Sequence, residues 1–223
     1  MKLIFMNPNS TESMTRQVVE AARAAAPGAE ILGWTNAGGP PAIEGPEHGR
    51  QAVAGLLAML PAARAEGADV LVIACFDDTG LGELRAAAHC PVIGIGQAAY
   101  HMAALVAGRF SVVTTLAVSV PVLEDNLGRY GLATGCVSVR PSGLPVLAVE
   151  KGGAVVIARL AEEIRLARAE GAGAIALGCA GMCGLRGALA ELTDLPVIDG
   201  VAAAANLGQA IARTVGAGAG DAA

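Results

Sequence analysis

The chain contains the same short segment twice. Arg64-Ala-Glu-Gly-Ala68 recurs 104 positions later as Arg168-Ala-Glu-Gly-Ala172, and a cysteine follows each copy at the same distance, Cys75 and Cys179. Matches that keep one register indicate that a chain is built from related units. We therefore expect two related halves, each carrying one cysteine at an equivalent position.

Each cysteine is expected to end a buried strand. A helix that stops at Glu-Gly precedes a short, wholly apolar run, 70–74 in the first half and 174–177 in the second. Such runs are typical of parallel strands that are covered on both faces. Ligands of open α/β sheets bind at the carboxyl ends of the strands. We therefore expect Cys75 and Cys179 to face a ligand, with the next helix terminus favouring thiolate. The alternative is that both are buried structural cysteines.

Composition limits the class of protein. The chain is 54% hydrophobic with a formal net charge of −5, so it offers no basic surface for nucleic acid. Met1–Met6 leads directly into a strand, and charges interrupt the apolar segments, so neither a signal peptide nor a membrane span is expected. Five cysteines, an odd number, suit free thiols in a reducing compartment. We expect a cytoplasmic protein without nucleic-acid or membrane partners.

Strands alternate with helices along the whole chain, which predicts parallel sheets. We expect an α/β fold of two similar parallel-sheet lobes, related by pseudo-two-fold symmetry, with the active site in the cleft between them. The first lobe is expected over 1–97 and the second over 98–200, with a long loop running to Glu150. A helix is expected over 184–193. A further helix over 201–215 is expected to pack back on the first lobe, and residues 216–223 to form a disordered tail.

Other motifs are weaker. Gly94-Ile-Gly-Gln-Ala-Ala99 matches a loose dinucleotide-binding pattern, but no acidic residue stands about twenty positions further on, as that fingerprint requires. The three histidines share no ligand spacing, so no metal site is expected. Neither lysine lies in a pyridoxal-phosphate context. The adjacent carboxylates of Asp77 and Asp78 are expected to complement a helix dipole. No cofactor is predicted.

Two thiols that face each other suit one kind of reaction. Inverting a carbon centre by moving its proton requires a base on one face and an acid on the other. A thiol with a pKa near ~8.5, lowered by a helix terminus, can serve in either form near neutral pH. Two related halves supply the opposed positions, because each contributes one strand end.

Seven segments that run nearly from end to end carry a resemblance to a known family: Asn7–Thr15, Gly39–Gly45, Ala74–Asp78, Pro91–Gly96, Arg109–Thr115, Leu177–Met182 and Pro196–Ala203. With them the chain resembles the aspartate/glutamate racemase superfamily and, within it, the hydantoin/allantoin racemase family. After the first cysteine the family usually has Asp-Pro-Gly-Leu, where this chain has Asp78-Thr-Gly-Leu81.

The resemblance implies a cofactor-independent racemase that inverts C5 of 5-monosubstituted hydantoins or of allantoin. Cys75 and Cys179 would be its two acid/bases. Polar and amide groups would hold the ring and its developing enolate oxygen, and one loop side chain would line the pocket for the C5 substituent. These binding residues are Asn9, Ile43, Phe76, Thr114, Thr115, Ala180 and Gly181. Caps and turns explain the polar ones equally well. We also expect a homo-oligomer.

Other readings of the same residues stay open. Members of this superfamily with a cysteine pair also racemise aspartate or glutamate, or isomerise maleate. Those substrates carry two carboxylates and call for cationic contacts, whereas the segments around these cysteines hold no arginine apart from Arg186. A non-catalytic sensor with the same lobes would bind hydantoins without exchanging their C5 proton.

Overall fold

The computed structural model describes residues 1–216 of the chain. Within them the strands form two sheets of four, and every strand pair is parallel. Helices lie between successive strands, so the α/β prediction is confirmed. The tail expected over 216–223 falls outside the described range, apart from Gly216, which ends the last helix.

The two sheets have the same strand order. The first runs β2-β1-β3-β4 and the second β6-β5-β7-β8, so β3 and β7 occupy equivalent places. The repeated segment predicts this equivalence of β3 and β7. The strands are β1 (Lys2–Asn7), β2 (Glu30–Thr35), β3 (Val70–Ile73), β4 (Val92–Gly94), β5 (Phe110–Thr114), β6 (Cys136–Pro141), β7 (Ile175–Gly178) and β8 (Val197–Asp199).

The helices mostly match their sequence patterns, with two corrections. The helices are α1 (Glu12–Ala25), α2 (Pro46–Ala65), α3 (Leu81–Ala87), α4 (Ile95–Ala107), α5 (Val120–Arg129), α6 (Val146–Lys151), α7 (Ala154–Ala169), α8 (Arg186–Ala190) and α9 (Gly200–Gly216). The loop expected to run to Glu150 contains α6, which is too short to show a helical period. The helix expected from Gly184 is instead a 3₁₀ segment, Ala180–Leu185, followed by the short α8. Its two glycines disfavour the α-helical form.

The core continues from one sheet to the other. The strands β3, β5 and β7 are buried along their whole length, as their apolar sequences predict. Between the sheets, the ring of Tyr100 meets Phe76 edge-on at 5.1 Å and stacks with Phe110 at 6.3 Å, measured between ring centroids. The two lobes therefore share one apolar cluster that fixes the ends of β3 and β7 relative to each other.

The helices α4 and α9 connect the lobes. The helix α9 packs against α1 and α4 and also contacts β8. The expected division between residues 97 and 98 falls within α4, which runs from the first sheet to the second. Where the lobes divide stays a prediction. Among residues 1–216 no helix has the length and apolar character needed to cross a bilayer.

Candidate active site

The two cysteines of the repeat line one cavity. Cys75 follows β3 by two residues, and Cys179 follows β7 directly. Cys179 is buried and Cys75 is half-buried. Because β3 and β7 occupy equivalent places in the two sheets, their carboxyl ends contribute one thiol from each lobe to this cavity. The remaining cysteines, including Cys183, do not line this cavity.

The cavity is small. Its volume is about 20 Å³, enough for roughly one water molecule. A cleft of about 810 Å³ lies beside it, and Asp77 lines both spaces. No lysine, arginine or histidine lines the inner cavity. Its lining residues are Asn9, Met14, Ile43, Ala74, Cys75, Phe76, Asp77, Thr115, Ser119, Val146, Gly178, Cys179 and Ala180.

The structure brings most of the predicted binding residues to this cavity. Those that line it are Asn9, Ile43, Phe76, Thr115 and Ala180. Thr114 and Gly181 do not. The hydroxyl of Thr114 donates a hydrogen bond of 2.9 Å to the carbonyl of Gly178, which holds β5 to β7. Gly181 backs onto the main chain of Glu150.

Asn9 is fixed by its neighbours in the loop after β1. Its side-chain oxygen accepts hydrogen bonds from the Asn7 amide (3.0 Å) and from the Thr11 backbone N–H (2.9 Å). Its Nδ2 group contacts only a weak acceptor among the described residues, the sulfur of Met14, at 3.2 Å. Asn9 therefore forms the expected local turn and still presents an N–H donor at the cavity.

Two segments that sequence reasoning treated as loops close the cavity. Ile43 belongs to the loop before α2, and Val146 is the first residue of α6. The backbone N–H of Val146 donates to Oε1 of Glu44 at 2.9 Å, which joins the two segments. Val146 was missed because six residues give no helical period, although the flanking Pro145 and Gly152 are boundary signals.

Asp78 complements the start of a helix, as expected, but not that of the helix that follows it. Its carboxylate accepts the backbone N–H groups of Gly96 (3.0 Å) and Gln97 (2.7 Å) at the start of α4. A Cβ atom at Gly96 would overlap the carbonyl oxygen of Phe76. The glycine pattern at 94–99 is therefore accounted for by this close approach of backbone and carboxylate. Asp77 faces the cavity.

Burial controls the ionisation of the thiols. It raises the pKa of Cys179 to about 12 and the pKa of Cys75 well above its ordinary value, and the Asp77 carboxylate raises both further. The backbone N–H groups of Asp77 and Gly181 lower the two pKa values, but by less. The expectation that these thiols have lowered pKa values is therefore wrong, because the effect of burial is larger than that of the nearby N–H groups. No α-helix begins directly after either cysteine: α3 starts only at Leu81, and a 3₁₀ segment follows Cys179.

The fold and the cavity define a class of protein. Two parallel sheets share one strand order, and one thiol from each lobe lines the same cavity. Residues 3–208 match the family model described as Asp/Glu/Hydantoin racemase. The chain belongs to this family, as the sequence resemblance predicts, and the predicted class of enzyme, an isomerase, is confirmed with it.

Individual members of the family are similar to this chain over most of its length. A hydantoin racemase from Rhizobium meliloti is 45% identical over 213 residues, covering 95% of this chain and 88% of the relative. The solved allantoin racemase from Klebsiella pneumoniae superposes with a TM-score of 0.91 at 41% identity, covering 98% of this chain and 89% of the other. The allantoin racemase from Pseudomonas fluorescens gives a TM-score of 0.89 at 34% identity, covering 96% and 92%.

Proposed function

We propose that the protein is a cofactor-independent racemase that inverts C5 of 5-monosubstituted hydantoins or of allantoin. Cys75 and Cys179 are its two acid/bases. The observation that carries this proposal is the shared cavity, to which equivalent strands of the two lobes each contribute one thiol. We also infer, as from the sequence, a cytoplasmic homo-oligomer that uses no metal ion.

The reaction follows from the position of C5 in the ring. C5 lies next to a ring carbonyl, so a thiolate on one face can take its proton and leave the electron pair delocalised as an enolate. The thiol on the other face then donates its proton to C5, which completes the inversion. After one turnover the donating cysteine is a thiolate and the accepting cysteine is a thiol. This pair can convert the product enantiomer back, and it can act again on the first enantiomer once the two cysteines have exchanged protons with water.

The developing enolate oxygen needs hydrogen-bond donors. The Nδ2 group of Asn9 and the polar groups of Thr115 line the same cavity as the thiols. Asn9 is held by its neighbours in the free protein, so it need not reorganise when charge appears on the substrate. Fixed donors in a site that excludes water are the most effective kind of electrostatic stabilisation.

The charge of the cavity favours a neutral ring over a dicarboxylate. Asp77 lines the cavity, and both Asp77 and Glu44 lie close enough to raise the pKa of Cys179. No lysine, arginine or histidine lines it. A substrate with two carboxylates would lose the hydration of those groups in this cavity, and no cationic side chain that lines it would compensate for the loss. This argues against aspartate, glutamate and maleate as substrates.

Substrate binding requires the cavity to widen. A hydantoin ring is far larger than the single water that a volume of about 20 Å³ accommodates. The neighbouring cleft of about 810 Å³ reaches the cavity at Asp77 and offers the route from solvent. Closure around the ring would then exclude water from the enolate and bring both thiols against C5.

The test is racemisation of single enantiomers. Purified protein, dialysed against EDTA, is incubated with each enantiomer of 5-benzylhydantoin and of allantoin, and optical rotation is followed against a protein-free control. We expect rotation to decay to zero for at least one of the two compounds, and L-aspartate, L-glutamate and maleate to stay unchanged. Binding of a hydantoin without exchange of its C5 proton would point instead to a sensor.

A further inference from the structure

The two halves differ in the residues that follow the thiols, and one of these differences places a hydroxyl beside Cys75. The repeat offset pairs Thr79 with Cys183, four residues after Cys75 and Cys179 respectively. The hydroxyl of Thr79 donates a hydrogen bond of 3.5 Å to Sγ of Cys75. Cys183 offers a thiol at the equivalent place, and a thiol is a much weaker donor. At this position of the repeat, the hydroxyl that follows Cys75 is replaced by a thiol after Cys179.

The packing around Thr79 holds its side chain in place. Thr79 is 7% exposed and lies in the turn where the backbone N–H of Asp78 donates to the carbonyl of Cys75 at 3.0 Å. On its other side α2 passes close by, where a Cβ at Gly49 would lie 3.8 Å from Cγ2 of Thr79. Among the described residues, Sγ of Cys75 is the hydrogen-bond partner recorded for the hydroxyl. A buried hydroxyl with this single partner is fixed toward the thiol.

We propose that Thr79 is a positioning residue for Cys75: its hydroxyl holds the sulfur at the cavity and stabilises its thiolate form. Proton abstraction by Cys75 then depends on Thr79, whereas abstraction by Cys179 does not. The inference rests on the proposed function, because it assigns each thiol to one face of C5. It makes the two half-reactions chemically unequal although the two lobes share one fold.

The equal stability of the two enantiomers limits which measurement can detect a difference between the two half-reactions. The two enantiomers are equally stable, so kcat/KM must be the same in both directions for any variant. Net racemisation therefore cannot separate the thiols, and each half-reaction has to be isolated. The charged and titratable groups near Cys75 are Asp77 and Cys179, and those near Cys179 are Asp77, Glu44, Cys75 and Cys183. All of them are retained when only Thr79 is changed.

The experiment places Thr79→Val in two backgrounds. In Cys179→Ser the thiol of Cys75 still exchanges C5 of one enantiomer with solvent, and in Cys75→Ser the thiol of Cys179 exchanges the other. Exchange of 5-benzylhydantoin in D2O is followed by proton NMR. Thr79→Val should slow exchange by Cys75 about tenfold and move its pH midpoint upward by about one pH unit, because a hydrogen bond to the thiolate is lost. Exchange by Cys179 should change less than about twofold. Thr79→Ser keeps the hydroxyl and should restore exchange by Cys75.

A second measurement does not depend on catalysis. Iodoacetamide labels thiolates, and peptide mapping gives the rate for each cysteine. With both cysteines present, Thr79→Val should slow labelling of Cys75 relative to Cys179, and Thr79→Ser should not. Equal effects on both cysteines, or none on Cys75, would overturn the inference. If neither single-cysteine variant exchanges any enantiomer, the proposed function fails, and labelling still decides whether Thr79 acts on Cys75.

Discussion

The hydroxyl of Tyr130, at the end of α5 in the second lobe, donates a hydrogen bond of 2.8 Å to Oδ2 of Asp78 in the first. The same carboxylate accepts the backbone N–H groups of Gly96 and Gln97. One buried side chain thus joins the turn after Cys75, the start of α4 and the second lobe. The geometry of the candidate site depends on this junction.

Loss of the hydroxyl at this junction should weaken the fold. Tyr130→Phe keeps the ring and removes the donor, so the carboxylate of Asp78 loses one of its three partners. We expect the free energy of unfolding to fall by about 1–3 kcal/mol, measured by urea denaturation. The matched control is Tyr100→Phe, since the Tyr100 hydroxyl is buried without a hydrogen-bond partner among the described residues. That variant should be as stable as the parent or more so. A larger loss for Tyr100→Phe than for Tyr130→Phe would contradict this account.

The close packing of Gly96 against Phe76 and Asp78 leads to a second prediction. A side chain there would press on the carbonyl of Phe76 and the carboxylate of Asp78. Gly96→Ala should therefore lower the free energy of unfolding by about 1–3 kcal/mol and reduce racemisation, because it displaces the turn that carries Cys75. Gly128→Ala in α5 is the control, since it meets open space. It should be neutral or raise stability by up to about 1 kcal/mol. Equal changes in the free energy of unfolding for Gly96→Ala and Gly128→Ala would mean that Gly96 is not tightly packed against Phe76 and Asp78.

The charge of Asp77 should set how the thiols respond to pH. Burial raises the pKa of Asp77 to about 7, so its negative charge appears as pH rises through neutrality. After burial, that charge is the next factor that raises the pKa of Cys75, and it also raises the pKa of Cys179. Asp77→Asn removes the charge, so both thiols should form thiolate at lower pH. Labelling by iodoacetamide near pH ~8.5 should then be several-fold faster than in the parent protein.

Below about pH 6 the difference should vanish, because Asp77 is then protonated in the parent as well. Cys90 provides an internal control, since the carboxylate that acts on it is Asp69 rather than Asp77. Unchanged labelling of Cys75 and Cys179 at pH ~8.5 in Asp77→Asn would show that their ionisation does not depend on this carboxylate.

The sequence predicted the features that depend on local pattern or on the repeat. Wholly apolar runs placed β3 and β7, and the common offset placed Cys75 and Cys179 at equivalent strand ends. The role of Asp78 could not be predicted, because its partners lie 18 to 52 positions away and no local pattern encodes them. The ionisation of the thiols was misjudged for a similar reason, since it depends on how deeply the folded chain buries them.

The most direct test of the account separates inversion from exchange at C5. Each enantiomer of a 5-substituted hydantoin is incubated in D2O with the parent protein, Cys75→Ser and Cys179→Ser, with Cys90→Ser as a control outside the cavity. Optical rotation reports inversion, and proton NMR reports loss of the C5 proton.

The parent and Cys90→Ser should invert both enantiomers with uptake of solvent deuterium. Each of the other two variants should lose inversion by at least about a thousandfold and exchange one enantiomer only, with the opposite preference in the two variants. Inversion at the parental rate by either Cys75→Ser or Cys179→Ser would contradict the two-thiol mechanism.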